Sequence, residues 1–409
     1  MRGVHEKLTI GERVAFYRRR RGQSQVVLAG LVGRTEDWLS RVENGKIELD
    51  RLSVIRRIAE ALDVTIGDLV GDPTLLDWTA DSGVRTVPAL RAALMDYRQV
   101  SSLLPDRVSI DEPLSLDAIE RDVAELFDAY QASRYGYLTG RASLVLADAL
   151  LGLRAADSAD SRRAHALLAL AYQATVSVLT KLGESDLAWI ASERGLAAAQ
   201  QTENPVVLGS LFRSVAHALL STGRFAVCVE LVSAAADVLE PSLSARADDA
   251  LLSVYGTLFL TGTVAASRAD DRGSATTFLR EAEESANRLG RDANEMWTAF
   301  GPTNVAIHRM TSAMELGDVQ VAVDLAPRID ASALPTERRV RHAIETARAY
   351  TARNRRHDAL TVLLDAEQLA PEQIRHHNLS RQLVLSWLRN SRGPRSVALE
   401  QLANRLHLV

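Results

Sequence analysis

Apolar residues recur every three or four positions along most of this 409-residue chain, and no segment alternates strictly between apolar and polar. The first spacing covers one face of a helix and the second would mark a half-buried strand, so the pattern predicts an all-α fold. Ile10, Val14 and Tyr17 share one face of a helix over Ile10–Arg21. A second helix follows Ser24, a good N-cap, with Leu28 facing the core and Ala29 small where the next helix crosses. Gly33 suits a turn with positive φ, and Leu39 and Val42 then return apolar side chains to the same core. Leu52, Ile55, Ile58, Ala59 and Leu62 form the stripe of a fourth helix over Asp50–Leu62, and Asp63–Val70 closes the unit.

Asp72-Pro73 ends this head, assigned to residues 1–72. Residues 73–115 mix Pro, Gly, Asp and Ser around one short helical segment, Val87–Leu94, and read as a linker that also packs. After Leu116 the chain becomes rich in Ala, Leu, Glu and Arg with helical periodicity. Five places there read as a helix end, a tight polar turn, and a helix with a small early residue. They are Gly183-x4-Ala188, Gly223-x4-Cys228, Asp270-x4-Ala275, Gly317-x4-Ala322 and Asn354-x4-Ala359. The turns lie 40, 47, 47 and 37 residues apart, less even than a tetratricopeptide repeat. Small residues are needed where paired helices pack backbone to backbone. Residues 116–409 are expected to form a tetratricopeptide-like α-solenoid.

Charge changes the picture little. Residues 1–72 hold 13 Lys+Arg against 11 Asp+Glu, and the remainder 35 against 41, giving the net of −4. A single cysteine, Cys228, excludes an intramolecular disulfide and a cysteine-rich metal site. Met1–Lys7 is polar and opens no signal peptide, and the chain reads as cytoplasmic. Ala250–Ser267 has 18 residues without a charge, but its Ser, Thr and Gly content favours a buried helix over a membrane span.

The sharpest motif runs from Gln25 to Lys46, with Gln25, Leu28, Ala29, Gly33, Leu39, Glu43 and Gly45 at the fixed positions of a helix-turn-helix. Over residues 8–72 the chain resembles the Xre or lambda-repressor type of helix-turn-helix, a head of five short helices. That resemblance implies that Gln25, Thr35 and Asn44 hold phosphates and that Lys46 adds charge to the backbone contacts. It places Glu36, Asp37 and Arg41 at base edges, with Arg34 and Ser40 completing the DNA-facing set. Adjacent Glu36 and Asp37 repel phosphate but accept hydrogen bonds from cytosine N4; the alternative is a well-capped helix with little affinity for DNA. The run Arg18–Arg21 reads equally as phosphate contact or as a solvated helix end. Val26 and Val27 stand where relatives carry polar residues, a place for the second domain or a partner subunit to cover.

A helix-turn-helix followed by such repeats is similar to the peptide-responsive regulators of Gram-positive bacteria. The segments VPALRAALM, WTAFGPTNVAIHR and LPTERRVRHAIETARAY look more like a group of actinobacterial regulators of the same layout. The likeness implies a double-stranded DNA operator as partner, bound modestly and in a salt-sensitive way by each protomer with a homodimer on two half-sites supplying the rest, and a peptide or small-molecule effector held on the concave helices. Asn304 and His308, one helical turn apart, Arg213 and His217, similarly spaced, and Arg341 near Arg338, His342 and Glu345 are the effector candidates. Each also has a plainer reading as a solvated or locally bonded side chain. No phosphate-binding loop, nucleophile elbow or metalloprotease motif occurs, and His376 and His377 diverge on a helix, so no catalysis, cofactor or metal is expected. A competing reading takes the repeats as a protein-binding scaffold and the head as an interaction module.

Overall fold

The computed structural model describes residues 9–21, 23–47, 49, 52–62, 64, 69, 87–95, 114–244, 247–390 and 396–408. Among them there is no strand, only one isolated bridge between Ala293 and Phe300. The fold is all-α: a helix-turn-helix head followed by a helical solenoid.

The head contains α1 (Ile10–Arg20), α2 (Gln25–Leu31), α3 (Glu36–Glu43) and α4 (Leu52–Leu62). The fifth head helix expected within Asp63–Val70 lies largely outside the described residues, although Leu69 is buried in the core. A capping box opens α1: the Thr9 hydroxyl accepts from the Glu12 N–H, and the Glu12 carboxylate accepts from the Thr9 N–H. Val14, Leu28, Ala29, Leu39, Val42, Ile55, Ile58 and Leu62 make the core. The helices meet so closely that a Cβ on Gly11 would stand 2.1 Å from the Val42 carbonyl oxygen.

Helix α5 (Val87–Leu94) buries Val87, Leu90 and Leu94 in the first repeat core. The solenoid then runs as pairs: α6 (Leu116–Gln131) with α7 (Tyr135–Ala155), α8 (Ser161–Leu182) with α9 (Ser185–Ala199), and α10 (Pro205–Ser221) with α11 (Phe225–Leu239). Next come α12 (Asp249–Arg268) with α13 (Arg272–Leu289), α14 (Pro302–Leu316) with α15 (Val319–Leu325), and α16 (Thr336–Ala352) with α17 (Arg356–Leu369). Three helices end the chain, α18 (Pro371–His376), α19 (Asn378–Arg389) and α20 (Val397–Arg405). By length and composition α12 resembles a membrane span, but 83% of its apolar window is buried in the protein.

The five turns read from the sequence are one structural device. Gly183, Gly223, Asp270, Gly317 and Asn354 all take left-handed backbone, with φ of 80°, 75°, 64°, 85° and 60°. In each, the next residue's N–H reaches back five positions to a helix carbonyl, as Glu184 does to Leu179 at 2.9 Å and Asp318 to Ala313 at 2.8 Å. This satisfies carbonyls the helix leaves orphaned and turns the chain sharply. The small residues five positions on, Ala188, Cys228, Ala275, Ala322 and Ala359, are all buried at the helix crossing. A sixth turn, at Ser133 (φ 58°), has the same form but is followed by Leu138.

An open solenoid joins only neighbouring units. Here distant units also touch. The Ser133 hydroxyl donates to the Gln373 side-chain Oε1 at 2.7 Å, and the Gly136 N–H donates to Glu372 at 2.9 Å. The segment between α13 and α14 reaches the first pair as well. Trp297 stacks on Phe127 with ring centroids 4.2 Å apart, and Asn294 and Gln131 exchange two amide hydrogen bonds. That segment is strained, with Met296, Trp297 and Ala299 all near φ 50°. The superhelix thus closes on itself, and the first helices of its pairs face a shared interior.

Candidate functional site

On the head, α2 and α3 are held by short-range chemistry. The Ser24 hydroxyl caps α2 by accepting from the Val27 N–H, and Thr35 caps α3 by accepting from the Trp38 N–H. Gly33 (φ 67°) makes the intervening turn, and Gly45 (φ 68°) ends α3 in the same way. With Leu39 and Val42 turned inward, Arg34, Thr35, Glu36, Asp37, Arg41, Asn44 and Lys46 are exposed and Ser40 is half-buried. Arg34 lies over the Trp38 ring, 5.5 Å from its centroid. Arg41 stands 4.0 Å from Asp37, an exposed pair that leaves both free to exchange partners. The Asn44 amide donates to the Ser40 carbonyl at 2.7 Å.

Two side chains behave differently from the sequence reading. Arg18 is neither solvated nor on the surface. It is buried and grips Glu43 with two hydrogen bonds, Nε at 2.6 Å and Nη2 at 2.8 Å. Gln25 gives one amide hydrogen to the same carboxylate at 2.7 Å. Glu43 therefore fixes the start of α2, the end of α1 and the end of α3 together. Val26, Val27 and Leu31 form an exposed apolar strip on α2.

The effector candidates all lie on first helices: Arg213 and His217 on α10, Asn304 and His308 on α14, and Arg341 on α16. They meet in the interior, where mutual electrostatic effects link Arg213, His217, His308, Arg338 and Arg341. The sequence reading missed Lys181, Glu337, Tyr130 and His377, which share that space. Lys181 donates to Glu337 at 2.5 Å, Arg341 bridges to Glu345 at 2.8 Å, and Arg341 also meets the His377 ring. Behind them Arg268 and Arg348 clasp Glu315.

Burial sets the electrostatics. Desolvation, with Arg338 adding repulsion, pushes His308 down to about 3, and desolvation together with Arg213 holds His217 well below its ordinary value. Both rings are neutral, and His308 Nδ1 donates to the Asn304 carbonyl on its own helix at 2.9 Å. Burial also lowers Arg213 to about 10, which still leaves it charged at neutral pH. Glu315 goes the other way: burial would raise it, but Arg348 and Arg268 bring it to about 2. Asn304 is fully buried, yet neither amide atom has a hydrogen-bond partner, and the same holds for Gln173. Buried polar atoms normally find partners, and these two amides have none among the described residues.

One sequence signal locates the lining. Counted back from the left-handed turn residue, Lys181, Arg268 and Glu315 stand two positions away, and His217 and Arg348 six. Thr261, His308 and Glu345 stand nine, Arg213 and Gln173 ten, and Asn304 and Arg341 thirteen. That series has the period of a helix face, so each first helix offers one polar stripe to the interior.

Among solved structures, the chain is similar to Bacillus thuringiensis PlcR in complex with the peptide PapR7 and DNA. The identity is 13% and the TM-score 0.27, over 69% of this chain and 95% of that one. It is also similar to the human IFIT1 dimer with m7Gppp-AAAA, at 13% identity and TM-score 0.35, over 100% and 93% of the two chains. At these scores neither carries an argument about function. No curated protein matches the chain. Residues 9–70 match the family described as a helix-turn-helix domain, which makes the head a DNA-binding module of that kind.

Proposed function

We propose that this chain is a cytoplasmic transcription regulator. Its head binds a double-stranded DNA operator, as a homodimer on paired half-sites, and its superhelix binds a peptide or small-molecule effector in the shared interior. The observation that carries the reading is the pairing of an exposed recognition helix with a buried polar interior whose Asn304 and Gln173 amides are unpartnered. In this reading Arg34, Thr35, Glu36, Asp37, Ser40, Arg41, Asn44 and Lys46 face DNA, with the second amide hydrogen of Gln25 on a phosphate. Asn304, His308, Arg213, His217 and Arg341 face the effector. An effector alters DNA binding only if it favours one arrangement of the heads over another.

The test is selection of fragments of the source genome by the purified protein, followed by salt titration on the best fragment. A near-palindromic site is expected, with affinity falling steeply as salt rises. Arg41→Ala should relax base preference by about 1–3 kcal/mol at one position. Retention without a shared motif would overturn the operator reading. It would favour the scaffold reading, for which the exposed Val26, Val27 and Leu31 strip is the supporting observation.

A further inference from the structure

We propose that the molecule held in the interior carries an anionic group, a carboxylate or a phosphate, placed between Arg213 and Arg338. This rests on the effector reading above. Arg213 sits mid-way along α10, pointing inward. Among the described residues it has neither a hydrogen-bond nor an ion-pair partner, and its Nε is buried. Arg338 has a buried, unbonded Nε as well. Its nearest carboxylate, Glu337 at 3.7 Å, is already bonded to Lys181. The two guanidinium groups repel each other across the interior.

Among the described residues, Glu337 acts on Arg213 from a distance while bonded to Lys181, and the other carboxylates nearby are already engaged. Glu345 is shared by Arg341 and Arg348, and Glu315 by Arg348 and Arg268. Glu372 accepts from the Gly136 N–H at the closure. Burial keeps the Tyr130 hydroxyl protonated, so it adds no negative charge, and His217 and His308 are neutral. Arg213 and Arg338 are half-buried with Nε buried, and a cation partly withdrawn from water with no hydrogen-bonded counter-charge costs stability that a bound anion would restore. The planar fork of arginine matches carboxylate and phosphate oxygens in pairs, which a lysine would not do.

The full chain would be followed by thermal unfolding and calorimetry with three probes at constant ionic strength. These are sodium phosphate, a mixed heptapeptide pool with free C-terminal carboxylates, and the same pool as C-terminal amides. The expected result is a rise of about 3 °C at tenfold saturation with phosphate or the free-acid pool. Arg213→Gln should abolish it, and Arg213→Lys should restore it in part. Because Arg213→Gln removes an uncompensated charge, its own midpoint should equal or exceed that of the parent; should it fail to fold, Arg338→Gln takes its place. Phosphate alone acting would assign a phosphorylated small molecule, and the free-acid pool alone a peptide terminus. A rise equal with acid and amide pools, lost in Asn304→Ala and kept in Arg213→Gln, would overturn the anion and leave the effector reading standing. No probe-dependent rise in any variant would overturn both.

Discussion

The Arg18–Glu43 pair offers a direct trial of how the head is held. The Glu43 side chain is 3% exposed and that of Arg18 10%, so the two charges are compensated by each other and by little else. Three hydrogen bonds reach the Glu43 carboxylate, two from Arg18 and one from Gln25. Arg18→Ala removes two of them and leaves a buried carboxylate with a single neutral donor. Such half-broken pairs lose about 3–5 kcal/mol. A unit of about 60 residues is stable by only about 3–9 kcal/mol, so most of the head's stability should disappear. Hydrogen exchange read by mass spectrometry separates head from solenoid within one molecule. Amides of residues 28–43 should exchange about 10²- to 10⁴-fold faster, while those of 205–221 stay unchanged. The double variant Arg18→Met with Glu43→Leu removes both charges and should recover to within about 1–2 kcal/mol of the parent. Unchanged exchange in Arg18→Ala, or a double variant as damaged as the single one, would refute the assignment of a compensated buried pair.

Other expectations follow from the same geometry. A Cβ at Gly256 would stand 1.9 Å from the buried Phe300 ring, so Gly256→Ala should lower the denaturant midpoint by about 1–3 kcal/mol, and adding Phe300→Leu should return part of it. Gly317→Ala forces a side chain into left-handed backbone and should cost about 1 kcal/mol, whereas Gly30→Ala, in open space within α2, should stabilise the head by about 0.5–1 kcal/mol; equal effects would discredit the turn argument. Acid should weaken the solenoid early. The folded value of His308, about 3, lies below its ordinary 6.5, so its contribution is complete above pH 6.5 and is lost as pH falls toward 3. Buried His217 and His377 act in the same direction, while Glu315, near 2, begins to matter only below about pH 4.5. Urea midpoints between pH 7 and 5 should therefore fall, and His308→Gln should flatten the slope by up to ~1.4 kcal/mol per pH unit. A midpoint flat across that range would show that these rings are not buried in the neutral form.

Local chemistry made much of this legible in the sequence. Gly183, Gly223 and Gly317 announced left-handed turns because few other residues accept that backbone, and Asp270 and Asn354 are the usual substitutes. Ser24, Gly33 and the Leu28–Leu39–Val42 spacing set the helix-turn-helix for the same reason: each acts within a few residues of itself. Contacts between distant segments left no such trace. Nothing near Arg18 marks it as the partner of Glu43, 25 residues away, and a run of four arginines looks like surface. Lys181 and Glu337 lie 156 residues apart, and each alone resembles an ordinary solvated charge. The stacking of Trp297 on Phe127 depends on closure of the superhelix, which no local pattern encodes.

That closure has a consequence for synthesis. When Ser133 is added to the growing chain, its partner Gln373 is still 240 residues from being made. At ordinary translation speeds this is roughly 10–50 s. During that interval the early helix pairs can form, since each is completed by its own turn, but the lining stripe remains open to solvent. A molecule retained by Arg213 and Asn304 would be walled in by the last pairs as they arrive, rather than having to enter a finished enclosure.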